Sequence, residues 1–293
     1  MKNSRSGLTR PETARVTQGV VLPSGEKVPA FGMGTWHMGD DPRMRKEEVA
    51  TLRLGLDRGA ALIDTAELYG EGRAEDVVSE AIAGRRDSVF LVDKVLPSNA
   101  SRTGTIEACE RSLRRLKTDR IDLYLLHWRG AAPFAETIEA FMHLQQSGKI
   151  RHYGVSNLDL EEMKEWWATA GGQDVQTNQL LYNLSRRGIE WGLLPWLREH
   201  RLPVMAYSPI EQGRLLEDVR LVRFSREHGL TPAQAALSWL LAKEDIIVIP
   251  KTSNCERLEE NLAALNHPLN RSQLSELSRL FPAPSRSHPL EML

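Results

Sequence analysis

The feature that most constrains this chain is a rhythm. Short apolar or β-branched runs recur at roughly thirty-residue intervals, and each is followed by a segment whose apolar residues fall at helical spacing. The runs are ALIDT, VFLVDK, IDLYLLH, IRHYGVSN, DVQTNQ, PVMAYS and IIVIPK; a first strand near Pro29 to Gly34 makes eight. Parallel strands need long crossovers, and the intervening helices supply them, so the pattern predicts a parallel α/β sheet, either closed into a (β/α)₈ barrel or open and doubly wound.

The helical segments carry their own signatures. Val49, Leu52 and Leu56 form one stripe, and Ile138, Phe141 and Met142 begin another that Gly148 ends. Thr231-Pro232-Ala233-Gln234 is a capping box with proline at the first helical position, and Ser253 with Glu256 reads as a second. Val20, Gly25 and Val28 predict a short N-terminal hairpin, and Leu274, Leu277 and Phe281 predict an extra C-terminal helix outside the repeat. Residues 1–15 are mostly polar and expected to be flexible, leaving 16–293 as a single barrel domain.

Two observations favour the barrel. GMGTW, Gly32 to Trp36, is not the G-x-G-x-x-G turn of an open dinucleotide-binding sheet, and there is no Walker loop. Nearly every run also ends in a polar residue: Asp64, Lys94, His127, Asn157, Gln179, Ser208 and Lys251. In a barrel such ends converge on one mouth, whereas in an open sheet they would be strung along an edge.

Composition narrows the partners. The formal net charge of the 293 residues is -1, with no Lys/Arg block, which argues against a nucleic-acid or anionic-membrane surface, since either needs a basic patch. No apolar run approaches the roughly 18 residues of a membrane span, and the N-terminus lacks the hydrophobic stretch of a secretory signal, so a cytoplasmic location is expected. Cys109 and Cys255 have no CxxC or Cys/His spacing, so neither a disulfide nor a metal site is expected. Cys109 shares a helical face with Ile106, Leu113 and Leu116, which predicts a core position.

The chemistry-bearing residues come from consecutive runs. Taken singly, Asp64 reads as a loop cap, Tyr69 as a half-exposed aromatic, Lys94 as a solvated charge and His127 as a core histidine beside Trp128. Together they place a carboxylate, a phenol, an ammonium and an imidazole at one mouth. A phenol, with an ordinary pKa of about 10, gives up its proton better beside a cation, and a lysine withdrawn from water needs a counter-ion such as Asp64. His127 would hydrogen-bond a substrate oxygen or feed the relay. That set protonates a carbonyl oxygen; a hydride source is still required. Ser156, Asn157 and Gln179 offer groups suited to a carboxamide, and Tyr207 a flat face for a nicotinamide ring. Lys251 and Thr252 run into Ser253, with Arg257 in the following helix, where a phosphate could sit; the plainer reading is a basic helix start.

The segments IDTAELYG, VDKV, LLHW, GVSN, TNQLLYN, AYSPI and IPKTSNCERLEEN, in that order across nearly the whole chain, resemble the aldo-keto reductase family, especially bacterial members that reduce methylglyoxal and similar small aldehydes. The resemblance implies a monomeric barrel with no Rossmann domain, acting as an NADPH-dependent reductase of aldehydes and ketones. It implies Tyr69 as general acid, Lys94 and Asp64 as its tuning pair and His127 as the orienting residue. Ser156, Asn157 and Gln179 would hold the carboxamide, Tyr207 would stack, and Ser208, Pro209, Ile210 and Gly213 would line the pyrophosphate. Lys251, Thr252, Ser253, Arg257, Glu260 and Asn261 would surround the adenosine 2′-phosphate and adenine, which favours NADPH over NADH. Thr35 and Trp36 would border nicotinamide and substrate, with Trp128 on the opposite wall.

Three departures from the family pattern stand out. Asp93 precedes Lys94 where a small residue is usual; by strand alternation it faces the helix layer and needs its own partner. The segment after AYSPI reads EQG, and the short, proline-containing tail after Phe281 offers little material for a long substrate loop, which predicts a shallow pocket. Two other readings are a Schiff-base aldolase with Lys94 or Lys251 as nucleophile, and a cofactor-binding accessory subunit without turnover.

Overall fold

The computed structural model describes residues 16–293. The expectation of a flexible segment over residues 1–15 lies outside the described residues. Strands β1 (Gly19–Val21) and β2 (Lys27–Pro29) pair antiparallel as the expected hairpin. Glu26 in its turn bonds to Arg151 at 2.8 Å and His152 at 2.7 Å, at the start of a barrel strand, so the hairpin covers the amino-terminal end of the barrel and leaves the carboxyl end as the mouth.

Eight parallel strands follow: β3 (Gly32–Gly34), β4 (Leu62–Asp64), β5 (Phe90–Val95), β6 (Ile121–Leu126), β7 (Ile150–Ser156), β8 (Asn178–Leu181), β9 (Val204–Tyr207) and β10 (Ile246–Val248). Each pairs with its sequence neighbour. Phe31 bridges Val248, and the Gly34 amide donates to the Pro250 carbonyl at 3.0 Å, which draws β3 and β10 together at the seam. A Cβ on Gly34 would lie 3.0 Å from the Ile249 carbonyl oxygen, so this close approach favours glycine. The first strand expected over Pro29 to Gly34 is divided: Pro29 belongs to the hairpin and Gly32 to the barrel.

Helices α1 (Arg45–Asp57), α2 (Arg73–Ile82), α3 (Arg102–Leu116), α4 (Phe134–Gln146), α5 (Leu160–Ala168) and α6 (Leu193–Glu199) alternate with the strands. The β9–β10 crossover holds two, α7 (Val219–Glu227) and α8 (Pro232–Leu241); α9 (Cys255–Ala263) follows β10, and α10 (Arg271–Leu280) packs on α7 outside the repeat. Every residue of β5 and β6 is buried, because one face fills the barrel and the other lies under helices. Cys109 is fully buried, and both cysteines are free. No helix among the described residues is long and apolar enough to cross a membrane.

The helix starts refine one expectation and overturn another. Thr231 and Gln234 form the predicted reciprocal box of α8, at 3.2 and 3.0 Å. At α9 the cap is Asn254 rather than Ser253: Asn254 has extended backbone angles (φ -118°, ψ 125°), and its side chain accepts from the Arg257 amide at 2.9 Å. Starting the helix one residue later leaves the Ser253 hydroxyl with no hydrogen bond among the described residues.

Candidate active site

The strand ends gather four side chains at the floor of a cavity of about 1000 Å³. Lys94, on the inward face of β5, is fully buried, and its ammonium donates to Asp64 Oδ2 at 2.8 Å, to the Thr65 carbonyl at 2.8 Å and to Tyr69 Oη at 3.2 Å. Tyr69 comes from the turn after β4, where Gly70, Glu71 and Gly72 all have positive φ and swing the chain sharply into α2. His127, at the end of β6, packs edge-on to Tyr69 with ring centroids 5.8 Å apart. Asp64, Tyr69 and His127 line the cavity, while Lys94 lies beneath them.

Burial alone would drive Lys94 neutral, but the Asp64 carboxylate and Tyr69 oxygen more than offset it and hold the ammonium above its ordinary pKa. A lysine so charged, with its protons given to three acceptors, has no lone pair for a carbonyl carbon, which weighs against a Schiff base there. Burial also raises the Tyr69 phenol, partly countered by Lys94, so it stays protonated and able to donate near neutral pH. For His127, burial and then Lys94 push the imidazole well below its usual pKa. It is neutral near pH 7, which suits hydrogen bonding to an oxygen better than carrying a charge.

The later strands complete the cavity differently from the simple expectation. Gln179 donates its amide N–H to Asp64 Oδ1 at 2.7 Å, so that donor is engaged and its carbonyl oxygen is the atom left to meet a ligand. Asn157 donates to the His127 backbone carbonyl at 3.1 Å and accepts from the Tyr207 hydroxyl at 3.0 Å; the Ser156 hydroxyl donates to the backbone carbonyl of Gln179 at 3.0 Å, leaving the Gln179 side-chain oxygen open. Asn157 and Ser208 both adopt positive φ, so β7 and β9 end in sharp turns at the mouth. The Thr35 hydroxyl is likewise committed, to the Asp64 carbonyl at 2.9 Å, and Trp36 and Trp128 line the same cavity.

At the other end, Ser208, Pro209, Ile210 and Gly213 line the wall with Lys251, Thr252, Ser253, Arg257, Glu260 and Asn261. Neither Lys251 nor Arg257 has an ion-pair partner among the described residues, and burial lowers the Lys251 pKa. Two unpaired cations, a free serine hydroxyl and the start of α9 make a cradle suited to a phosphate. This donor set fits a phosphorylated dinucleotide.

Sequence reasoning missed several contributors. His37, held by Asp40 at 2.7 Å, and Gln212 line the cavity, as do Met292 and Leu293 of the tail. The short tail therefore reaches the mouth, which nothing in its composition could reveal. Asp93 faces the helix layer as alternation predicted; its Oδ1 accepts from the Lys94 amide at 2.8 Å, while Oδ2 is buried with no donor.

The chain belongs to the aldo/keto reductase family: the family profile matches residues 30–281. Methylglyoxal reductase YeaE of Escherichia coli is 47% identical over 271 residues, 91% of this chain and 95% of that protein. An aldo-keto reductase of Mycolicibacterium smegmatis is 31% identical over 270 residues, 89% of this chain and 92% of that protein. The crystal structure of an aldo/keto reductase from Klebsiella pneumoniae in complex with NADP and acetate matches with a TM-score of 0.92 at 47% identity, covering 95% of this chain and 100% of that one.

Proposed function

We propose that this protein is an NADPH-dependent reductase of small aldehydes and ketones, with methylglyoxal as a substrate. The observation that carries the reading is the buried Asp64–Lys94–Tyr69 chain, with contacts of 2.8 and 3.2 Å, at the floor of a cavity whose far wall holds two unpaired cations. Likeness to YeaE and to the NADP complex supports both the substrate and the cofactor. When bound, the cofactor supplies the hydride that adds to the carbonyl carbon.

The residues of this chain supply the rest. His127, neutral, hydrogen-bonds the carbonyl oxygen and turns it toward Tyr69. Tyr69 gives its phenolic proton to that oxygen as negative charge develops, and the Lys94 ammonium stabilises the phenolate left behind. Asp64 keeps Lys94 charged. Trp36 and Trp128 wall the carbonyl site and exclude water. Asn157 and the Gln179 side-chain oxygen would hold the carboxamide with Ser156, Tyr207 would offer its face to the nicotinamide ring, and the turn from Ser208 to Gly213 would receive the pyrophosphate. Lys251, Thr252, Ser253 and Arg257 would hold the 2′-phosphate, with Glu260 and Asn261 toward the adenine. Residues 16–293 act as one domain, monomeric and cytoplasmic.

Mixing the protein with NADPH and methylglyoxal should consume the reduced nicotinamide absorbance. No turnover across a panel of small aldehydes would overturn the reading, as would borohydride trapping of a carbonyl compound on Lys251.

A further inference from the structure

The EQG departure and the unexpected path of the tail meet at one side chain. Arg186 lies in the turn after β8, which Asn183 builds by accepting from the amides of Ser185 and Arg186 at 2.9 and 3.0 Å. Its guanidinium takes two carboxylates. Nε donates at 2.9 Å to Glu211 Oε1, in the turn that follows Ser208, and Nη1 donates at 2.5 Å to Glu291 of the tail.

Glu211 is buried, with positive φ, and is clamped from three sides: by Arg186, by Arg214 at 3.0 Å and by Asn183 at 2.8 Å. Asn183 also donates to the Ser208 carbonyl at 2.9 Å, so the same cluster sets the turn at both ends. Among the described residues, the hydrogen bonds that hold the tail lie at its two ends. At its start, Arg187 donates to the Phe281 carbonyl, and Arg220 donates to the Leu280 carbonyl at 2.9 Å. At its end, Leu290 packs on the core and Glu291 meets Arg186; between them, residues 282–289 are largely exposed. Met292 and Leu293, just past this anchor, line the cavity.

We propose that Arg186 is a positioning residue that ties the Ser208–Gly213 turn to the C-terminal tail, so that cofactor binding at the turn sets the wall that Met292 gives to the carbonyl pocket. The inference rests on the cofactor reading above. Engagement of the turn fixes Glu211, Glu211 fixes Arg186, and Arg186 draws Glu291 and the adjoining tail against the mouth. Coupling of this kind is reciprocal: loosening the tail must weaken cofactor binding as much as the cofactor tightens the tail.

Two measurements on the full chain test this. Hydrogen exchange across residues 283–293 should slow when NADP⁺ saturates the wild-type protein. Glu291→Gln should abolish that slowing, weaken NADPH binding measured by fluorescence without substrate by about five-fold, within the usual range for coupled sites, and raise KM for methylglyoxal while leaving kcat within about two-fold. Wild-type exchange that is indifferent to NADP⁺, or Glu291→Gln binding NADPH as the wild type does, would overturn the coupling. Failure of the wild-type protein to bind NADPH at all would instead overturn the cofactor reading itself.

Discussion

At the floor of the cavity the charges are matched, whereas on the far wall the cations stand alone. Lys94 is wholly buried with three acceptors, and Asp64 receives both Lys94 and Gln179. Lys251 and Arg257, both partly open to solvent, have no carboxylate partner among the described residues. A group that must keep one geometry through a reaction is best held by neighbours that cannot move, while a group that must receive an anion is best left without one. On the function proposed above, the difference should separate residues whose loss damages chemistry or folding from residues whose loss damages binding alone.

The sharpest way to break that separation is Tyr69→Phe. It removes the proposed proton donor and keeps the ring, so turnover should fall by about 10²–10⁴-fold, while NADPH affinity from fluorescence titration barely changes. A comparable loss of affinity would show that the two regions are not distinct. Asp64→Ala should lower thermal stability as well as activity, because it leaves the Lys94 charge buried without its carboxylate, an arrangement that costs about 3–5 kcal/mol. An unchanged melting curve would mean that the floor is not held by this pair.

Arg257→Ala makes the opposite prediction. Loss of a charge-assisted contact of about 1.5–3 kcal/mol should weaken NADPH roughly ten- to hundred-fold, with NADH binding and the melting temperature unaffected. Equal losses for both cofactors would remove Arg257 from the phosphate site.

The smallest effect belongs to Asp93→Asn. Burial, then the neighbouring Glu75 carboxylate, raise the Asp93 pKa well above its ordinary 3.8, so the fold keeps a proton that the unfolded chain releases. That group's contribution to stability therefore falls as pH rises from about 3.8 toward the native pKa and is level above it. Asparagine still offers an acceptor to the Lys94 amide and does not titrate. The variant should be as stable as the wild type or more so at neutral pH, with activity within about two-fold. A marked loss of stability at neutral pH would show that the carboxyl form contributes something an amide cannot.

Much of this was legible in the residues. The strand rhythm predicted a parallel α/β sheet, and the missing G-x-G-x-x-G turn together with polar run ends such as Asp64, Lys94, His127 and Gln179 favoured its closure into a barrel with those ends at one mouth. The capping box at Thr231 was readable for the same local reason. Local signals failed where two solutions lay side by side: Ser253 and Asn254 can both cap, and only the backbone angles chose Asn254. They are silent on how Gln179 is used: its N–H is taken by Asp64 across the barrel, and only its side-chain oxygen is left for a ligand.

What the sequence determined by itself is the set of elements and the inventory of groups at the strand ends, since both follow from periodicity and residue chemistry within a few positions of each other. Tertiary structure alone decided which of those groups are already spoken for and where the tail goes. The contacts Gln179–Asp64 and Arg186–Glu291 join residues 115 and 105 positions apart, and a pairing at that separation depends on how the whole barrel closes, which no local pattern encodes.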